Sequence, residues 1–236
     1  MDDVSEPTMT VLRTAVAPPS RTALDRDERL VKDGILRMGS LVEAQIRAAI
    51  RAVVERDVEL AQRVIDDDAR VNEAQRVITD TVVMTIATQS PVARDLRFLM
   101  SLDHVAFELE RIGDHASGIA KLARRLTEEP ALREIRDLAT MGNLAADLVR
   151  GVVTALIDID DRVAREVAAR DDEIDHSYHQ VFAEVIDLMR ADPQTVERGT
   201  RVILAAHWVE RIGDRVTNIA EDVVYLATGQ VEDLNP

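Results

Sequence analysis

The sequence predicts an all-α protein made of two tandem antiparallel three-helix bundles related by a pseudo-two-fold repeat. The pentapeptide Glu-Arg-Ile-Gly-Asp occurs at residues 110–114 and again at 210–214, one hundred positions apart. Apolar residues recur every three or four positions along several long segments, which indicates amphipathic helices. The chain is rich in Ala, Val and Leu and only 3% aromatic, a composition that favours helix-on-helix packing. A repeat of this size normally folds as two similar modules.

The first repeat contains three predicted helices. The first begins near Asp25, and its seam holds one polar residue among apolar ones: Val31, Ile35, Met38, Val42, Gln45, Ala49 and Ala52. Residues 55–57 supply a short connection to a second helix over 58–89. Ser90 and Pro91 predict the N-cap and first position of a third helix that extends to about Leu126.

The second repeat begins after the break that Glu129-Pro130 marks. Its first helix has the seam Leu138, Met141, Ala145, Leu148, Val152 and Ala155. Residues 158–161 predict a turn, a fifth helix runs to about Arg190, and Asp192-Pro193 opens the sixth helix. Because short connections favour antiparallel neighbours, we expect a tail at 1–22 and bundles at 23–128 and 129–236. The alternative is a single merged six-helix bundle.

Charge and composition exclude several classes of protein. The net charge of −15 argues against binding to nucleic acid or docking on anionic lipid, and it favours multivalent cations. The absence of cysteine excludes disulfides, thiolate metal sites and cysteine nucleophiles. No run approaches 18 apolar residues, and the N-terminus has no signal-peptide pattern. We therefore predict a cytoplasmic protein.

The repeated pentapeptide places two carboxylates on one helix face, because Glu110 and Asp114, like Glu210 and Asp214, are four residues apart. Like charges at this spacing are mildly destabilising, and the central Gly costs roughly 1 kcal/mol relative to Ala. A chain that accepts both costs twice is expected to place something against that turn. The candidates are a cation between the carboxylates and a neighbouring helix over the Gly.

Each middle helix offers further oxygen side chains. The second repeat has Asp171 and Asp175, and the first has Asp68 with Asn72 at the equivalent positions. If the middle helix packs on the third helix, these groups join the pentapeptide acids in one patch of hard ligands. Such patches suit Mg, Ca, Mn or ferric iron, and zinc with fewer ligands. The alternative is that the acids form ordinary surface ion pairs with neighbouring arginines.

An enzymatic reading has weaker support. Residues 173–176 match the Glu-x-x-His element of di-iron bundles, which need it on two helices, but the first repeat has no counterpart. The histidines do not recur between repeats, and His207, three residues before Glu210, is the best single candidate ligand among them. No nucleophile–base pair or phosphate-binding loop is recognisable. We predict a non-enzyme, with a metal-dependent oxidase or metal-storage bundle, and a metal-free scaffold, as alternatives.

The run Ser-Pro-Val-Ala-Arg-Asp-Leu-Arg at 90–97, followed by the first pentapeptide, resembles the PhoU family, as does the second pentapeptide with Asn-Ile-Ala-Glu at 218–221. The resemblance covers about residues 25–230. It implies two three-helix bundles carrying a multinuclear iron or zinc cluster. The hard oxygen ligands by themselves leave Mg or Mn as alternative metals. The implied ligands are Asp68, Glu110 and Asp114 in the first repeat, and Asp171, Asp175, Glu210 and Asp214 in the second. Asn72, Gly118 and Lys121 depart from the second repeat, so the first site is expected to be weaker.

The same resemblance implies a function. PhoU-like proteins are negative regulators of phosphate uptake and of phosphate-starvation signalling. They act as cytoplasmic adaptors between the phosphate-specific ABC transporter, through its ATPase or permease subunits, and a sensor histidine kinase. The resemblance further implies a homodimer that reaches the membrane only peripherally, through its partners.

Overall fold

The computed structural model describes residues 21–127 and 136–235, and within them every regular element is helical. The first half contains α1 (Arg21–Glu55), α2 (Val58–Gln89) and α3 (Arg94–Leu126). The second half contains α4 (Arg136–Asp158), α5 (Asp161–Ala168), α6 (Asp171–Ala191) and α7 (Val196–Thr228). A single 3-10 turn, Pro193–Thr195, precedes α7.

The helices form two bundles that share one core. Helices α1, α2 and α3 pack on one another, and α7 packs on α4, α5 and α6. The bundles meet where α3 packs on α7 and α1 packs on α4, and their buried side chains form one continuous cluster. The predicted seams of α1 and α4 are buried in it, Gln45 included. The all-α fold of paired three-helix bundles is therefore confirmed.

Equivalent turns connect the first two helices of each repeat. Asp57 Oδ1 accepts a hydrogen bond from the Leu60 N–H at 2.8 Å, and Asp160 Oδ1 accepts one from the Val163 N–H at 3.0 Å. The residue before each cap is left-handed, with φ of 58° at Arg56 and 52° at Ile159. Both Asp side chains satisfy N–H groups that the first helical turn leaves free.

The connection between α2 and α3 differs from the prediction. Ser90 is not the N-cap of α3. It ends α2 in a left-handed conformation (φ 47°, ψ 54°) with its N–H bonded to Ile86 O, and α3 begins at Arg94. Pro91 disfavours a helical conformation at the residue before it, so the helix cannot continue through Ser90. At the equivalent place in the second repeat, Asp192 does cap the 3-10 turn, by accepting the Gln194 N–H at 3.0 Å.

The predicted fifth helix is interrupted and forms α5 and α6. At the break the Arg170 N–H bonds to Val167 O at 3.1 Å, a tighter 3-10 connection than the helical pattern. The break makes Asp171 the first residue of α6 and places it in the protein interior.

Parts of the predicted organisation lie outside the described residues. They include the break at Glu129-Pro130 and residues 1–20 of the predicted tail, whereas Arg21 and Thr22 belong to α1. The domain boundaries at 22/23 and 128/129 stay predictions.

One helix, between Asp137 and Asp158, is long and apolar enough to span a membrane, with a mean hydropathy of 1.2 in its most apolar window. The helix contains no uninterrupted apolar run of about 18 residues, and it reaches this hydropathy only as an average over the window. This window is 56% buried inside the protein, and α4 packs against α1 and α7. Those contacts identify α4 as a core helix of the bundles.

Candidate metal centres

The glycine of each pentapeptide lies where the middle helix crosses closely over the third helix. A Cβ at Gly213 would collide with Oδ1 of Asp171 on α6. A Cβ at Gly113 would lie 3.0 Å from Val71 Cγ1 on α2 and 3.3 Å from Gln45 Oε1 on α1. The predicted packing of a neighbouring helix over the glycine is therefore present in both repeats. In the second repeat, the group that fills the space is a carboxylate.

Asp171 is the most deeply buried acid of the second site, with 3% of its surface exposed. Its Oδ1 has no hydrogen-bond partner in the described residues, and its Oδ2 accepts from Asn235 Nδ2 at 3.4 Å. Burial, followed by the charges of Asp175, Asp214 and Glu210, raises the pKa of Asp171 to about 7. Without a cation, the site therefore holds a carboxylate whose ionisation is costly.

The other acids of this site also lie near one another, and they differ in how far their charges are paired. Burial and the neighbouring Asp214 raise the pKa of both Glu210 and Asp175. Glu210 Oε2 is buried 3.2 Å from His207 Nδ1, without hydrogen-bond geometry. Asp214 pairs with Arg211 at 2.7 Å, as the surface-pair alternative predicts. That alternative therefore describes Asp214 but does not describe Asp171.

A segment after α7, residues 229–235, folds back over the second site. Gly229, with φ of 78°, turns the chain, and Glu232 forms a two-point ion pair with Arg165 at 2.9 and 3.0 Å. The Leu234 N–H donates to Glu221 Oε1 at 3.0 Å. Between this segment and α7 lies a cavity of about 510 Å³ that Asp214 lines. Sequence reasoning missed this cover, because no local pattern indicates where a segment after the last helix docks.

The acids of the first site are more exposed to solvent, and the charge of Asp68 is better compensated by its neighbours. Asp68 is half-buried and accepts from Gln45 Nε2 at 3.4 Å, and the positive charge of Lys121 partly offsets the burial that raises the pKa of Asp68. The pKa of Glu110 is raised by burial and then by Asp114, which is exposed. Gln45 is the one polar residue in the apolar seam of α1. That exception in the sequence was the available signal that Gln45 binds a half-buried partner, here Asp68.

The donor set of the second site fits a hard cation better than that of the first. Among the described residues, Asp171 Oδ1 and Glu210 Oε2 are buried oxygens without a hydrogen-bond partner, and both are hard ligands. In the residues that the structure describes, however, no three Asp, Glu or His side chains are grouped as metal ligands. Instead, Asp214 contacts Arg211, Glu210 lies near His207, and Asp171 accepts from Asn235. Holding a metal therefore requires some of them to exchange these contacts for the ion.

Packing explains why the first repeat has Gly118 where the second repeat has Asn218. Helices α3 and α7 are antiparallel, so Asn218 Nδ2 meets Glu108 Oε2 at 3.3 Å, and the equivalent contact places the Trp208 ring over Gly118. A Cβ at Gly118 would lie 2.7 Å from Trp208 Cζ3. Gly118 is therefore explained by the packing between the bundles, and this departure carries no information about the first metal site.

Two polar residues of the same interface were also missed by sequence reasoning. Glu108 is buried and lies 3.5 Å from Arg215 Nη1, and His104 Nδ1 lies 2.6 Å from Asp222 Oδ2. Neither residue recurs at the equivalent position of the other repeat, so the repeat gave no signal for them. They join the bundles beside the candidate centres.

The Glu-x-x-His element does not join the second site. Glu173 is exposed and pairs with Arg170 at 2.9 Å, and His176 is exposed with its Nε2 3.0 Å from Gln180. The di-iron comparison therefore finds no support in the described residues.

The family is shown by comparison with known proteins. A family model described as PhoU domain matches residues 35–123 and 138–223. The chain is 34% identical over 217 residues to a phosphate-specific transport system accessory protein PhoU homolog of Clostridium acetobutylicum, covering 92% of this chain and 99% of that protein. It is 36% identical over 200 residues to the homolog of Pseudomonas aeruginosa, covering 84% and 83% of the two chains.

Solved structures agree with the sequence comparison. The crystal structure of PhoU from Pseudomonas aeruginosa matches with a TM-score of 0.84 at 34% identity, covering 88% of this chain and 100% of that chain. The phosphate transport system regulatory protein PhoU from Streptococcus pneumoniae matches with a TM-score of 0.83 at 31% identity, covering 89% and 99%. With both bundles matched in sequence and in fold, this chain belongs to the PhoU family.

Proposed function

We propose that this protein restrains phosphate uptake and phosphate-starvation signalling. It acts as a cytoplasmic, non-enzymatic adaptor that contacts the phosphate-specific ABC transporter and a sensor histidine kinase. The observation that carries the proposal is similarity along nearly the whole chain to relatives named accessory proteins of the phosphate-specific transport system. The role is one of protein–protein contact, and the expected form is a homodimer.

The surface supports contact with proteins more than contact with lipid or nucleic acid. Several large apolar side chains on α2 and α3 are exposed: Val77, Met84, Leu96, Met100 and Phe107. By helical spacing, those on α2 share one face and those on α3 share another, and an exposed apolar face is a surface that protein partners cover. The net charge of −15 disfavours anionic lipid and nucleic acid, so attachment to the membrane is peripheral and runs through partner proteins.

The proposal includes a cation on the second carboxylate site, held by Asp171, Asp175, Glu210 and Asp214. An iron or zinc cluster is the expected occupant, with Mg or Mn as alternatives. The support is the buried Oδ1 of Asp171, which has no hydrogen-bond partner within residues 21–127 and 136–235, because a bound cation would remove the cost of ionising that carboxylate. Asp68, Glu110 and Asp114 form a weaker site, because Gln45 and Lys121 already compensate Asp68.

Deleting the gene in its own organism is expected to switch on phosphate-starvation genes even in phosphate-rich medium. The physical reason is the loss of the contact that holds the kinase and transporter in their restrained state. Alkaline phosphatase activity and phosphate uptake measure the effect. The wild-type gene should restore repression, whereas an unchanged reporter in the deletion strain would refute the regulatory role.

Metal analysis of purified, untagged protein tests the cation site. We expect the double variant Glu210→Ala/Asp214→Ala to lose most of the bound metal by plasma mass spectrometry. The matched variant Glu110→Ala/Asp114→Ala should lose less, because the first site is weaker. Circular dichroism should show the helices intact in both variants. If no protein holds metal after reconstitution with iron, zinc, manganese and magnesium, the metal sites are refuted while the adaptor role stands.

A further inference from the structure

A second cavity, of about 300 Å³, shares no lining residue with either carboxylate site. It lies where both bundles meet, between α1, the start of α3, the α4–α5 turn and the end of α7. Its lining consists of Arg21, Glu28, Lys32, Arg94, Asp95, Arg97, Phe98, Ile159 and Leu226. A molecule bound here would touch both repeats at once.

The cavity is locally basic in a strongly acidic protein. Four of its side chains are basic and two are acidic, although the whole chain carries a net charge of −15. Arg21 lies 4.0 Å from Asp95. Lys32, Arg94 and Arg97, however, have no carboxylate within the 4.0 Å ion-pair distance among residues 21–127 and 136–235. Glu28 lies near enough for the charge of Lys32 to lower its pKa, so Lys32 is partly compensated. Three cations without a direct ion pair around one cavity make a site for an anion.

Two of these cations are held in place by aromatic rings. The Lys32 ammonium lies 5.0 Å from the centroid of the Phe98 ring and donates to Ile157 O at 3.3 Å. The Arg97 guanidinium lies 5.1 Å from the centroid of the Tyr225 ring. Gly229 leaves room for it, because a Cβ there would lie 2.8 Å from Arg97 Nη1. Prepositioned cations lose little freedom when they bind a ligand.

The remaining lining is apolar. Phe98 is buried, and Ile159 and Leu226 are half-buried. The volume is at the small end of the range for small-molecule sites, which starts at roughly 300 Å³. A bare inorganic anion would leave these apolar side chains uncovered, whereas an anion attached to a ring would contact both parts.

We propose that this cavity binds a small phosphorylated molecule with a ring, its phosphoryl group against Arg94, Arg97 and Lys32 and its ring against Phe98. Guanidinium groups match phosphoryl oxygens in charge and in two-point geometry. The carboxylates of Glu28 and Asp95 would repel the anion. Removing one of these charges should therefore strengthen binding, which is a testable effect of opposite sign to that of Arg94→Ala. The site goes beyond the proposed function, and its binding can be measured without a transporter, a kinase or a metal.

The test is isothermal titration of the full chain, in chelator, with adenosine monophosphate and with inorganic phosphate. We expect binding of the nucleotide, and weaker binding of inorganic phosphate. Arg94→Ala should weaken nucleotide binding about tenfold or more, the effect of losing one charge-assisted contact. The matched control Arg37→Ala removes the same charge from an exposed position of α1 outside the cavity and should have little effect.

A variant that removes a repulsive charge tests the proposal from the opposite side. Glu28→Gln takes one carboxylate from the lining and should tighten nucleotide binding several-fold. Equal binding of both probes would mean that the ring is not recognised and would overturn that part of the proposal. Absence of binding at millimolar concentrations, or equal loss in Arg94→Ala and Arg37→Ala, would overturn the site itself.

Discussion

Replacing Asp171 by Asn is expected to stabilise the metal-free protein at about pH 8, because it removes an ionised carboxylate from a buried site. Asp171 is 3% exposed, and its Oδ1 has no partner in the described part of the chain. An Asn amide would instead offer N–H donors toward Asp175, Asp214 and Glu210, whose charges act on this position. The substitution exchanges an electrostatic repulsion for hydrogen bonding.

The sign of the pH dependence follows from the direction of the pKa shift. The folded-state pKa of Asp171, about 7, lies above the ordinary value of 3.8, so the folded state binds the proton more tightly than the unfolded state. Asp171 therefore does not lower the stability of the fold below about pH 3.8. Its cost to stability grows as the pH rises from 3.8 to about 7. A pKa of about 7 in the folded state against 3.8 in the unfolded state limits this cost to at most on the order of 4 kcal/mol.

Urea unfolding in the presence of chelator at about pH 5 and about pH 8 measures this effect. Asp171→Asn should gain more over wild type at the higher pH. The matched control, Asp172→Asn, makes the same charge change at the next, exposed residue of α6 and should gain much less, because Asp172 is the weakest of the charges that raise the pKa of Asp171. A gain that is equal at both pH values, or equal in the control, would show that ionisation of Asp171 does not burden the fold.

Replacing Gly213 by Ala is expected to destabilise the protein and to weaken cation binding in the second site. The new methyl group would collide with the Asp171 carboxylate, so the buried Asp171 side chain would have to rotate away or α6 would have to shift. Overpacking of this kind costs about 1–3 kcal/mol, and the better helix propensity of Ala returns at most about 1 kcal/mol. We expect a net loss near the upper end, about 2 kcal/mol, because the colliding side chain is only 3% exposed and has little room to move.

Gly113→Ala is the matched substitution in the other repeat. Its methyl group would meet Val71 Cγ1 at 3.0 Å and Gln45 Oε1 at 3.3 Å, contacts that small side-chain shifts can relieve. The expected change in unfolding free energy is below about 1 kcal/mol, because helix propensity offsets the crowding. Urea unfolding and metal titration compare the two variants. If both behave alike, the close approach of Asp171 to Gly213 is not a special feature of the second site.

The broad architecture was predictable because helical periodicity records which face of each helix is buried. The seams of α1 and α4 were predicted residue by residue, and all of their residues are buried. The repeated pentapeptide located the close helix crossings, since a Gly flanked by like charges is costly without a neighbour. Breaks that depend on local geometry were less predictable. Ser90 ends α2 instead of starting α3, and α5 separates from α6 before Asp171.

The sequence by itself determined the helical repeat, the carboxylate sets and the family resemblance, because these depend on residue type and spacing along one chain. Only the tertiary structure decided how the two carboxylate sets differ. Asp68 has Gln45 and Lys121 beside it, whereas Asp171 is buried against Gly213 under the segment that carries Asn235. Burial and charge compensation come from helices far apart in sequence, so spacing within one helix cannot report them.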